Sequence, residues 1–272
     1  MTESPPPPPP EPVLSGFHLP RTNLFFPVRS QLAALEHPPQ FKSELEVPLA
    51  FLIAFVTGGL LGVIFPLAIN TAFSSALGEA TARWATPVLV APWTEETSKG
   101  LCMLVVAYAI ARVFPNRRYG AAIGAATGLG FAIMEDIVYA VTGKTTGIFG
   151  LVRLVETPVT HPLFSAFIGL AVFVFVSRMR EGKNVFAAAL GLPLIFWGVG
   201  MLNHCLWNAI AVSIPFPGSM VVNMFVMSPV FVVVLRDFLG GHFNFHRFFE
   251  PLPEPPRPGW AERPPSIEPP PP

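Results

Sequence analysis

The chain has 272 residues, 51% of them hydrophobic and only 12% charged, with a positive mean hydropathy. Soluble domains carry about a quarter charged residues, so this balance excludes an ordinary water-solvated domain and points to lipid as the solvent. A formal net charge of zero gives no basic footprint for a nucleic-acid partner. The two cysteines, Cys102 and Cys205, sit in apolar runs and read as a pair of buried thiols; the sequence has no disulfide framework and no CxxC zinc motif. The first apolar run begins near Val47, which leaves no sign of a cleavable leader.

Most of the 33 prolines fall in 1–48 and 251–272. Proline lacks the backbone donor and resists helix and sheet interiors. The chain therefore divides into a Pro-rich N-terminal tail over 1–46, a membrane domain over 47–238 and a Pro-rich C-terminal tail over 239–272, with both tails expected to be disordered. Within the first tail, 24–36 reads either as an amphipathic stretch on the membrane surface or as unstructured linker.

A spanning helix needs about 20 mostly apolar residues. Six candidates follow in order: 47–73, 88–114, 119–141, 157–176, 185–214 and 219–235, which gives an all-α polytopic bundle. The second span carries Pro87 and Pro92, so its outer part is expected to break, with regular helix starting near Trp93. In the third span Gly120, Gly124 and Gly128 recur every four residues, a pattern that suits close helix packing inside the bundle ahead of a dimer interface. The sixth is short and holds Pro229. Lys42; Arg112, Arg117 and Arg118; Arg178, Arg180 and Lys183; and Arg236 collect on one side. The other side has Arg83, Lys144 and Arg153. By the positive-inside rule both termini are cytoplasmic, in a plasma membrane.

Charged side chains near the bilayer centre cost at least about 2.5–3.5 kcal/mol each, so those that remain are informative. The second span holds Glu95, Glu96 and Lys99; the third holds Glu135 and Asp136; the fourth opens with His161; the fifth contains His204 and Asn208. Counted from the cytoplasmic end of each helix, Glu95, Glu135, His161 and His204 stand about 16–19 residues up, which at ~1.5 Å per residue is the same height within one turn. The shared height lies in the outer third of the membrane. Glu95 and Lys99, and likewise His204 and Asn208, are four apart and share a helix face. Asp136 reads as interfacial, and the histidines in the tails read as bland. A single polar site assembled from four helices is the economical explanation, either for hydrolysis or, alternatively, for an ion- or proton-coupled transporter or channel.

At these residues the sequence resembles the PrsW family of intramembrane proteases. Glu95-Glu96-Thr97-Ser98-Lys99 matches a Glu-Glu-x-x-Lys motif, Phe131 to Glu135 matches Phe-x-x-x-Glu, and the segments at His161 and His204 are similar to the histidine motifs of later helices. More distantly, Glu-Glu and His-x-x-x-Asn resemble the CAAX prenyl endopeptidases, which would have histidine where Glu135 stands. The resemblance implies an endopeptidase that hydrolyses a membrane-associated protein, such as an anti-sigma factor, near the extracytoplasmic face. Two versions of the chemistry follow. In the metal-free version Glu95, with Glu96, deprotonates water, His204 and Asn208 donate to the oxyanion, and Lys99 keeps the carboxylates ionised. In the metal version His161, His204 and Glu135 hold Zn2+, with Glu95 or Glu96 as general base.

Overall fold

The computed structural model describes residues 26–36, 43, 45–110, 114–143 and 147–239, and among these no strand occurs. The expected disorder of the Pro-rich tails falls almost wholly outside the described residues. The helices are α1 (Phe26–Ala34), α2 (Glu46–Ala76), α3 (Glu79–Ala85), α4 (Ala91–Ala109), α5 (Arg117–Val141), α6 (Gly147–Arg180), α7 (Val185–Ala189), α8 (Leu192–Ser213), α9 (Gly218–Val222) and α10 (Ser228–Phe238). Among the described residues, five segments are long and apolar enough to cross a membrane: Glu46–Ala76, Arg117–Val141, Gly150–Arg180, Leu192–Ser213 and Gly218–Phe238. The second expected span contains α4, whose three charged residues keep it out of that class. They are nonetheless buried, with Glu95 6% exposed and Glu96 and Lys99 0%.

The expected break before Trp93 does not occur. The chain stays helical by widening into a π turn at Thr86–Val90, where Ala91 N–H bonds the Thr86 carbonyl five residues back. The same device recurs at Asn223–Met227, where Ser228 N–H bonds Asn223 and Pro229 follows. α6 begins ten residues earlier than the fourth expected span, which moves Arg153 from a loop into a helix. The fifth expected span divides instead. Gly191 takes a positive φ of 72° and Pro193 opens the new helix, so α7 ends and α8 starts. At the start of α5, Asn116 caps the helix by accepting from the N–H groups of Arg118 and Tyr119.

α5 is clasped between α2 and α6. A Cβ added at Gly124 would lie 2.1 Å from the Ser165 carbonyl oxygen, at Gly128 2.4 Å from that of His161, and at Gly130 1.9 Å from that of Phe55. The glycine stripe thus serves packing within the chain, and it brings the backbone of His161 directly against α5. The region 24–36, described from 26, is a helix folded onto the bundle. Leu32 and Leu35 are buried in the same core as Phe238 and Leu239, and Arg29 pairs with Asp237 at 3.3 Å and Glu36 with Arg117 at 2.9 Å.

Candidate metal centre and peptidase site

The polar residues of α4, α5, α6 and α8 meet in the half of the bundle where α2, α5 and α8 end and α6 begins. They line the floor of a cavity of about 960 Å³, whose walls include Glu95, Glu135, Arg153, His161, His204 and Asn208.

Glu96 is the structural anchor. Its Oε1 accepts from Lys99 Nζ at 2.6 Å and from His204 Nδ1 at 2.9 Å, and its Oε2 accepts from Ser165 Oγ at 3.3 Å. With both oxygens engaged, the carboxylate fixes three helices together. Lys99 also reaches His161 Nδ1 at 3.0 Å and lies 3.9 Å over the Phe131 ring. This resolves an ambiguity left by adjacent glutamates: consecutive residues on a helix point about 100° apart, and Glu96 points into the protein framework.

Glu95 has the opposite character. It is 6% exposed, its Oε2 is buried without a hydrogen-bond partner, and His204 Nε2 stands 3.8 Å away. Ligand-type atoms of Glu95, His161 and His204 all lie within 4.8 Å of one another. Two histidines and a carboxylate form a donor set of the zinc type, and an orphaned buried oxygen is what such an ion would satisfy. His204 meets the requirement directly. Its Nδ1 donates to Glu96, which leaves Nε2 with the lone pair, the carboxylate–histidine arrangement common behind metal ligands. On His161, Lys99 donates to Nδ1, so the ring proton sits on Nε2 and is given to Glu135 Oε2 at 3.1 Å. A metal on that nitrogen would displace this proton, and Nδ1 would take one from Lys99 so that the ring stays a neutral imidazole.

Of the residues expected as ligands, His161 and His204 are brought together with Glu95, whereas Glu135 stands beside the trio rather than in it. Asn208 lines the cavity, but its Nδ2 donates to the Pro87 carbonyl at 2.7 Å. The π turn explains this bond. After Ala91 N–H to Thr86, the next donor in the pattern would be residue 92, and Pro92 has no N–H to offer the Pro87 carbonyl. Asn208 supplies the missing donor, one turn from His204.

Sequence reasoning missed the group around Glu135. Arg153 donates from Nη2 to Glu135 Oε2 at 2.9 Å and from Nε to Asp136 Oδ1 at 3.1 Å, and its guanidinium lies 4.1 Å over the Tyr139 ring. Thr157 Oγ1 donates to Asp136 Oδ2 at 2.5 Å. Asp136 is thus engaged inside the protein rather than merely interfacial. The signal was available: Arg153, Thr157, His161 and Ser165 recur every four residues and mark one polar face of α6. It was hidden because the helix was expected to start only at 157.

The sequence profile of the PrsW family intramembrane metalloproteases matches residues 46–234. No curated protein and no solved structure shows significant similarity to the chain. The profile covers every buried charge of the site and most of the chain, and the protein accordingly belongs to the PrsW family of intramembrane metalloproteases.

Proposed function

We propose that this integral membrane peptidase cuts a membrane-anchored protein substrate at the cavity floor, near the extracytoplasmic face, with Glu95, His161 and His204 holding a divalent ion of the zinc class. The observation that carries this reading is the convergence of those three side chains from three helices to within 4.8 Å, with a buried Glu95 oxygen left unpaired. Such an ion would supply Lewis-acid polarisation of the scissile carbonyl and a more acidic attacking water. Glu135 accepts hydrogen bonds from Arg153 and His161 at Oε2 alone, so Oε1 is the oxygen left to take the proton of the attacking water and return it to the leaving amine. Water adds across the peptide bond, hydroxyl to carbon and hydrogen to nitrogen. Glu96 and Lys99 act by orientation: Glu96 fixes the tautomer of His204, and Lys99 holds Glu96 and the His161 ring in place. Asn208 contributes by holding the π turn of the chain that leads into α4.

Orientation follows from the loop charges and from the site's own use of them. Arg153 is taken into the bundle by Glu135 and Asp136, which leaves Arg83 and Lys144 as the basic residues of the connections on the cavity side. This supports cytoplasmic termini, with residues 47–238 as the working domain. An extended segment of a single-span protein, of which an anti-sigma factor is one example, would suit a cavity entered from the outer surface.

The test is comparative membrane proteomics of cells carrying the wild-type chain or Glu95→Ala. An uncleaved membrane protein should accumulate with the variant. Purified wild-type protein should contain zinc, and His161→Ala and His204→Ala should lose it. Full cleavage after complete metal removal would overturn the metal assignment; solute or proton flux in liposomes without any proteolysis would overturn the peptidase reading.

A further inference from the structure

We propose that Arg153 is a positioning residue for Glu135. Its guanidinium, tied to Asp136 and packed on Tyr139, fixes one oxygen of Glu135 so that the other alone meets the cavity. This rests on the peptidase reading of the same site and deepens it.

Two observations carry the inference. Arg153 and His161 address the same oxygen of Glu135, at 2.9 and 3.1 Å, and among the described residues Oε1 has no hydrogen-bond partner. With an ion on His161 Nε2, the hydrogen bond from His161 to Glu135 would be lost, and Arg153 would be the contact that remains. Arg153 is also itself held, by Asp136 through Nε and by Tyr139 beneath the guanidinium, while the hydroxyl of Thr157 holds Asp136. A solvated surface arginine would need none of these.

An alternative is that Arg153 only offsets the repulsion of two adjacent carboxylates. Charge alone would then suffice, and lysine would serve. The observed geometry asks for more: a planar fork spans Oδ1 of Asp136 and Oε2 of Glu135 while its central carbon lies 4.1 Å over an aromatic ring, which an ammonium cannot reproduce.

The experiment uses the full chain in proteoliposomes. Its substrate is the membrane protein that accumulates with Glu95→Ala, and cobalt(II) is the metal probe. Arg153→Gln should lower kcat by about 10–100-fold, the usual effect of removing a partner behind the reacting groups, with KM near wild type. Arg153→Lys, which keeps the charge and protects folding, should also fall short of wild type. The double variant Arg153→Gln/Glu135→Gln should be no slower than Glu135→Gln, because Arg153 acts only through that carboxylate. Without substrate, the cobalt(II) absorption of Arg153→Gln should differ from wild type as Glu135 is released toward the metal, and Glu135→Gln should abolish the difference. An Arg153→Lys chain with wild-type kcat, a double variant slower than Glu135→Gln by the full Arg153→Gln factor, or an unchanged cobalt(II) spectrum overturns the role of Arg153 alone. A wild-type chain that takes up no cobalt(II), together with no accumulating protein in Glu95→Ala cells, overturns the peptidase reading and the role of Arg153 with it.

Discussion

Lys99→Met tests how the buried charges are held. Lys99 is 0% exposed, with its ammonium 2.6 Å from Glu96 and 3.0 Å from His161. Methionine keeps most of the stem that packs beside Phe131 but deletes the charge. Removing one member of a buried ion pair costs about 3–5 kcal/mol, because the partner is left charged without compensation. The acceptor at His161 Nδ1 also loses its donor, which costs about 1–3 kcal/mol. The two losses share one site and do not simply add, so the expected destabilisation is about 3–5 kcal/mol, a large part of the roughly 5–15 kcal/mol that holds a typical domain together. Adding Glu96→Gln removes the stranded charge. The glutamine oxygen still accepts from His204 while its NH2 can donate to the Ser165 hydroxyl, so the double variant should recover all but about 1–3 kcal/mol. Reversible unfolding in mixed micelles, followed by tryptophan fluorescence, measures both. A Lys99→Met protein within about 1 kcal/mol of wild type would refute the reasoning, and so would a double variant no more stable than the single one.

Other positions give sharp contrasts. Gly130→Ala should force α2 and α5 apart, since its Cβ would lie 1.9 Å from the Phe55 carbonyl oxygen, and it should cost about 1–3 kcal/mol or more in the same unfolding assay. Gly78→Ala, where a Cβ meets nothing within 4 Å and φ is −58°, should be close to neutral. Asn208→Leu strands the Pro87 carbonyl and should lose about 1–3 kcal/mol of stability along with cleavage; a variant with full stability and lost kcat would instead return Asn208 to direct contact with the oxyanion. Leu32→Asp should release α1 from the core it shares with Phe238 and expose the 26–36 region to limited proteolysis, while cleavage of the substrate by the detached form tells whether α1 matters to the site.

The architecture was legible because hydropathy and length report directly on spanning helices, and because a charge kept in an apolar helix marks itself. Glu95, Glu96, Lys99, His161 and His204 were visible for that reason, and their common height followed from counting turns. Two things were not visible. Which of two adjacent carboxylates faces the cavity depends on helix rotation, and that is set by tertiary contacts such as Ser165 on Glu96 and Lys99 on His161. The exchange of Glu135 for Glu95 in the converging trio follows from the same cause. The boundary of α6 was the second. Its first turns lie before Pro158, a residue that suggests a helix start, and that misplacement cast Arg153 as a loop charge. Asn208 shows a third kind of limit, since its partner is a backbone carbonyl that only the π turn at Thr86–Val90 leaves vacant.

That π turn also acts as a phase shifter. One extra residue per turn offsets everything that follows by about 100° around the helix axis. The face of α4 that carries Glu95 and Lys99 is therefore aimed by the insertion upstream as well as by its own packing. Deleting one residue from 86–90 would let the segment relax into an ordinary α-helix with every side chain of the buried polar cluster still encoded. The carboxylates and the lysine would then be turned toward different neighbours, and Pro92 would meet the carbonyl of a different residue. The chain would retain its motif and lose its direction, a failure that no inspection of Glu95-Glu96-Thr97-Ser98-Lys99 alone would foresee.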